Sequence, residues 1–170
     1  MTTKEDKKRA RKGERVKLTI TDANEQTRRM QEAVARRAYA IFESRGSGSW
    51  HESDDWRQAE SELVSPLCCG RMTIGDRLWI GTDAGVFEQG TIEIWVAPRK
   101  ITICGKPRAD GTDVQRIGPG FDEERIFRVL DLCIDVDPSH TTAKFNGSSL
   151  GILVRKAQVK TRQEVRAAAA

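Results

Sequence analysis

The densest group of chemically capable side chains lies in the decapeptide His51-Glu52-Ser53-Asp54-Asp55-Trp56-Arg57-Gln58-Ala59-Glu60, which holds a histidine, four carboxylates and a tryptophan. Such a set suggests metal ligation or acid–base catalysis, and its spacing argues against both. A zinc-protease helix needs a second histidine one turn after the first. Here the position four after His51 is Asp55, and the other histidine of the chain is His140. Asp54 and Asp55 are adjacent, so on a helix they point apart and cannot work as an acid/base pair. The plainer expectation is a helix start. Ser53 would be the N-cap, Asp54 and Asp55 would meet the positive end of the helix dipole, and Trp56, Ala59 and Leu63 would pack on one face.

The four cysteines, Cys68, Cys69, Cys104 and Cys133, contain no C-x-x-C, and an adjacent pair cannot hold zinc tetrahedrally in the usual way. Inert packing thiols are expected, with a Cys68/Cys69 redox pair as the alternative. The chain has no P-loop, no G-x-S-x-G and no dinucleotide-binding glycine motif followed by a strand and an acid. No enzyme is expected, and neither catalytic residues, a metal nor a cofactor.

These residues belong to a chain of 170 residues, 38% hydrophobic and 32% charged. That suffices for one domain with a core, or a small domain with a helical appendage. No stretch approaches the ~18 consecutive apolar residues of a membrane span. The start, MTTKEDKKRARKGER, is basic without an apolar run, unlike a secretory signal, so a cytoplasmic location is the expectation. The net charge is +4, and residues 1–15 carry all of it, with seven Lys/Arg against three Asp/Glu. The remainder balances, 22 against 22. A tail of this kind can touch phosphates in a salt-sensitive way, but its composition reads as disordered and solubilising, and nucleic-acid binding is not expected as a main role.

The positioning elements follow from periodicity. Met30, Val34, Ala38, Ile41 and Phe42 recur at helical spacing between a cap signal at Asp22 and a stop at Gly46. The second helix runs from the decapeptide until Pro66. From Met72 the period changes to two, in RLWIGT, TIEIWVAP, KITICGK, RIFRVLDL, TTAKFNG and LGILVRK, with turn residues between. The fold expected is mainly β: an immunoglobulin-like antiparallel β-sandwich with an N-terminal α-helical pair. The organisation expected is a basic tail over 1–21, a helical pair over 22–65, the sandwich over 72–157 and a C-terminal tail over 158–170.

Three segments of the sandwich resemble the alpha-crystallin domain of small heat-shock proteins. IEIWVAPRKITICGK (92–106) is similar to that family's strand, sharp turn and strand ending in T-I-x-G. IFRVLDLCIDVDP (126–138) resembles its F-x-R-x-F-x-L-P-x-x-V-D segment, with Arg128 at the arginine position, and AKFNGSSLGILVRKA (143–157) resembles its G-V-L-x-V ending. Cys133 stands where the family has proline, and Ser148-Ser149-Leu150 where it has Gly-Val-Leu. The tail offers only Val159 and Val165 in place of the family's I-x-I docking motif, which speaks against large oligomers. The helical pair resembles a short bacterial domain of unknown function, with the signature Asp55-Trp56-x-x-Ala59-Glu60-x-x-Leu63.

The resemblance implies an ATP-independent holdase that binds partly unfolded clients and forms a homodimer. Its groove would be lined by Ile101, Ile103, Leu150, Ile152 and Val154, although the same alternating residues also suit the sandwich core. The dimer interface would include Arg128, and a strand at Val114–Ile117 for which a plain loop is the equal alternative. A non-enzymatic adaptor or co-chaperone-like module is the second reading, in which Trp50 or Trp56 supplies contact surface.

Overall fold

The structure, a computed structural model, describes residues 16–46, 52–109 and 125–158. Helix α1 (Ala23–Arg45) begins as its cap signal requires, with Asp22 Oδ1 accepting the Glu25 N–H at 2.8 Å. Gly46 ends it at φ 79°, a conformation that a side chain would strain. Helix α2 (Glu52–Leu63) packs back on α1, burying Ala59 and Leu63 with Met30, Ala33, Val34 and Ile41. A buried ion pair, Arg37 Nε to Glu62 Oε2 at 2.7 Å, pins the two helices together.

Among the described residues, nine strands make two sheets. One has five strands in the order β1-β5-β6-β7-β2: β1 Lys17–Ile20, β5 Glu93–Ala97, β6 Lys100–Gly105, β7 Ile126–Asp131 and β2 Val64–Pro66. The other has four in the order β3-β4-β9-β8: β3 Cys69–Ile74, β4 Arg77–Asp83, β9 Ser149–Lys156 and β8 Val136–Asn146. The six strands read from the sequence are all present, and every pairing among β3–β9 is antiparallel. The inner rows of the two sheets meet in one apolar core that also includes the buried face of α1 and α2.

The helices lie on the outer face of the five-stranded sheet. Thr102 Oγ1 donates to Gln26 Oε1 at 2.8 Å with both residues fully buried, and the Arg29 guanidinium sits 5.4 Å from the Trp95 ring centroid. The order through the molecule is therefore helices, five-stranded sheet, four-stranded sheet. Strand β5 is buried at all five positions as a result.

Two segments assigned otherwise by composition are strands. Residues 17–20, placed in the basic tail, form β1, parallel to β5. Pro66, read as a helix stop, closes β2, which runs parallel to β7 at the sheet edge, where a missing N–H is tolerated. Among the described residues, no helix is long and apolar enough to cross a membrane.

Candidate protein-binding surface

The five residues expected to line a client groove, Ile101, Ile103, Leu150, Ile152 and Val154, are buried to 1% exposure or less. They point between the sheets, so they form the core and are closed to a client. The reason is alternation itself. On β9 the inward set is Leu150, Ile152 and Val154, and the outward set includes Gly151 and Leu153. An apolar period-two pattern marks the better-covered face, which here is the interior.

Apolar surface is accessible instead on β3 and β4, and separately at Leu18 and Ile20 of β1, 38% and 61% exposed. Outward residues pair across the sheet as Met72 with Trp79 and Trp79 with Leu153, which draws an apolar row over three strands. Met72 and Ile74 are 53% and 55% exposed and Trp79 is 37% exposed. Among the described residues, strand β3 has no neighbour on its outer side. Arg71 and Thr73 on its inward side are exposed too, so the opposite sheet does not reach beneath it. One edge and both faces of a six-residue strand are open.

A shallow depression of about 470 Å³ adjoins this row, over Gly70, Gly81 and Gly151, which pair across three strands. The Trp79 indole lies along it, so close that a Cβ on Gly81 would stand 2.1 Å from the ring. The ring covers backbone that would otherwise be bare, and keeps one face toward solvent.

The other sheet ends in two short strands, β1 of four residues and β2 of three. Strand β1 is fastened to β5 through Glu93, whose carboxylate receives Lys17 Nζ at 2.9 Å, Thr19 Oγ1 at 2.8 Å and Arg125 Nη1 at 2.8 Å. Burial pushes the Glu93 pKa up, but these three donors outweigh it and hold it down at about 2. Strand β2 lies along β7, with Ser65 opposite Arg128, and Leu67 N–H donates to Val129 O at 2.8 Å. Arg128, expected at a dimer interface, is thus half-buried beside β2, and its Nη1 donates to Phe127 O at 3.4 Å. Val114 and Ile117 lie outside the described residues.

The decapeptide behaves differently from its reading at two positions. Helix α2 starts at Glu52, which puts Ser53 inside the first turn instead of at the cap. The buried face is Asp55, Ala59, Leu63, and Trp56 is 40% exposed. Asp55 turns inward because Arg45 of α1 meets it, Nη1 to Oδ1 at 2.6 Å, which rotates Trp56 to the margin beside Ala38, Tyr39 and Phe42. Glu60 faces solvent. Among the described residues no three His, Cys, Asp or Glu side chains converge as a metal site, and His51 and Trp50 lie outside them. Cys68 and Cys133 are exposed, Cys69 is half-buried, and Cys104 is buried, which pushes its thiol up to about 11.

Comparison with known proteins adds two findings. Residues 29–64, which include Trp56, Ala59 and Glu60, match the family model for a protein of unknown function, DUF2934. Solved structures similar to this chain include heat shock protein 16.0 from Schizosaccharomyces pombe, at 14% identity over 58% of this chain and 81% of that one, TM-score 0.42. A small heat-shock protein from Xylella fastidiosa is similar at 14% identity over 57% and 91%, TM-score 0.42. The rat alpha crystallin domain is similar at 19% identity over 54% and 91%, TM-score 0.36. Among curated proteins, none matches the sequence.

Proposed function

We propose that the protein is an ATP-independent, non-enzymatic chaperone of the small heat-shock type, which holds partly unfolded chains on the β3 edge and on the apolar row Met72, Trp79 and Leu153. The observation that carries this reading is a strand with one edge and both faces open and two large apolar side chains more than half exposed. A partly unfolded client exposes extended backbone and apolar side chains. Pairing with β3 satisfies the first and covers the second, which removes both from self-association. The sequence segments 92–106, 126–138 and 143–157 support the same class through their resemblance to the alpha-crystallin domain.

A homodimer belongs to the proposal, in which Val114–Ile117 of a second copy pairs with the same edge. Client and second copy then compete for β3, and Arg128 stabilises the pair from β7. Arg128→Ala with an unchanged dimer affinity would remove that last role.

The test is light scattering from a heat-labile client without ATP. The native chain is expected to suppress aggregation at equimolar ratio, and the Met72→Lys/Ile74→Lys variant to lose most of that suppression. Aggregation as fast as with an inert control, in the presence of folded native protein, overturns the chaperone reading. Equal suppression by both chains moves the site away from β3. The adaptor reading is favoured by one separate observation, the exposed aromatic cleft between α1 and α2. It predicts one stoichiometric folded partner and no effect on client aggregation.

A further inference from the structure

The helical layer carries an aromatic cleft that the β3 surface does not use. Tyr39 and Phe42 on α1, with ring centroids 6.4 Å apart, and Trp56 on α2 line an open cleft of about 340 Å³ together with Ala38, Glu52 and Asp55. Tyr39 is 62% exposed, an unusual fate for an aromatic ring at the heart of a helix pair. Asp55 is offset by Arg45, but the Glu52 carboxylate has no ion-pair partner among the described residues. Glu43 accepts a hydrogen bond from the Tyr39 hydroxyl, a neutral donor that leaves its charge in place.

Aromatic faces backed by uncompensated carboxylates attract a cation. The ring quadrupoles present negative faces, and the carboxylates add a direct coulombic term. An uncharged apolar side chain would fill the same volume and leave the carboxylates facing it. The chain has one strongly basic stretch, Lys7-Lys8-Arg9-Ala10-Arg11-Lys12, and residues 1–15 hold the entire net charge of +4. We propose that the cleft formed by Tyr39, Phe42 and Trp56 with Glu52 at its rim receives a Lys or Arg side chain of this chain's own segment 1–15.

Reach permits it. The segment joins the fold at Val16, just before β1, and the cleft lies 17 residues along α1 from Asp22, about 25 Å at helical rise. Adding the ~13 Å length of β1 keeps the span under about 40 Å. That sum is an upper limit on the straight distance; nine residues back from Val16 to Lys7 extend to about 30 Å before the side chain adds its own length, and twelve back to Lys4 extend to about 40 Å. Tethering also gives the segment an effective concentration near the millimolar range, so one cation held weakly by aromatic rings suffices for occupancy. A free basic peptide of equal intrinsic affinity would need to be that concentrated to compete.

The test is fluorine NMR of the full chain labelled with fluorotryptophan, the Trp56 resonance being assigned through Trp56→Phe. In the native chain this resonance is expected to move between about 10 mM and 1 M salt, as the screening length falls from ~30 to ~3 Å. A full-length chain carrying K7Q, K8Q, R9Q, R11Q and K12Q should show the high-salt position already at low salt. A synthetic peptide of residues 1–15 should return it to the native low-salt position. Glu52→Gln should bring the salt midpoint down at least twofold. Trp79 serves as the internal control, since it lies on the far sheet. An identical Trp56 resonance in native and neutralised chains at low salt overturns the proposal. A resonance that shifts on dilution of the native chain assigns the occupant to a second copy and overturns the intramolecular form. A neutralised chain whose Trp56 answers an uncharged apolar peptide and ignores the basic one overturns the cation assignment. None of these readouts depends on client aggregation, so this proposal and the chaperone reading fail separately.

Discussion

The two sheets of the sandwich are built from the same kinds of residue and treated oppositely. The five-stranded sheet has β1 along one edge, β2 along the other, α1 and α2 on its outer face and the second sheet on its inner face. Among the described residues, the four-stranded sheet has a bare outer face, and β3 projects past the cover of its partner. Apart from the second sheet, each of these elements around the five-stranded sheet comes from residues 17–66, the region that precedes the antiparallel strands. The N-terminal region thus covers the outer face of one sheet and, among the described residues, leaves that of the other bare. A sheet covered on both faces contributes stability, and an open face and edge contribute binding at little cost to the fold.

The contrast is sharpest for a pair of isoleucines. Ile103 on β6 is fully buried between the two sheets, and Ile103→Ala is expected to lower stability by about 2–5 kcal/mol in urea unfolding. A loss under about 1 kcal/mol would mean that the five-stranded sheet is not the rigid body of the molecule.

The next effect concerns the seal itself. Glu93 holds β1 with a pKa lowered from 4.5 to about 2. Because the folded value is depressed, its contribution is fully present above about pH 4.5 and is lost as pH falls toward 2. The Thr21 N–H, which donates to Val96 O at 3.1 Å, reports the attachment of β1. Its protection against hydrogen exchange, corrected for the intrinsic rate, is expected to stay level from neutral pH to about 4.5 and to fall below it. Glu93→Gln should remove the pH dependence and weaken the attachment by about 1.5–3 kcal/mol, the value of hydrogen bonds to a charged acceptor. Protection that is unchanged in Glu93→Gln would show that backbone pairing alone keeps β1 in place.

Much of this architecture is legible in the residues, and the parts that are not share a cause. Asp22 and Gly46 delimit α1 because caps act through bonds to near neighbours. The six principal strands are visible because alternation is local as well. Strand β1 has the same alternation in Val16-Lys17-Leu18-Thr19-Ile20, but only five residues of it follow a run of charges, and composition outweighed the pattern. The groove assignment failed because alternation shows that one face is covered without showing what covers it. Trp56 was placed one position out of phase because Asp55 is drawn inward by Arg45, ten residues away on another helix. Two buried polar partnerships, Gln26 with Thr102 and Arg37 with Glu62, fix how the helices dock, and no periodicity announces either. The exposure of Met72 and Ile74 is likewise a tertiary fact, since it arises where one sheet outruns the other.

The smallest expected effect on stability is at the open edge, and it decides whether the contrast between the sheets holds in solution. Ile74 is already 55% exposed, and its neighbours on β3 are exposed as well, so a lysine there removes little buried area and strands no polar group. Ile74→Lys is therefore expected to change unfolding free energy by no more than about 0.5 kcal/mol, as surface substitutions do. Urea melts at two protein concentrations, about tenfold apart, are the measurement. A loss above about 1 kcal/mol that is larger at the higher concentration would mean that β3 is covered by a second copy, because a bound partner stabilises by mass action. The edge would then be an assembly surface first, and client binding would have to wait for that copy to leave. A loss of the same size at both concentrations would place Ile74 inside the fold and remove the difference between the two sheets.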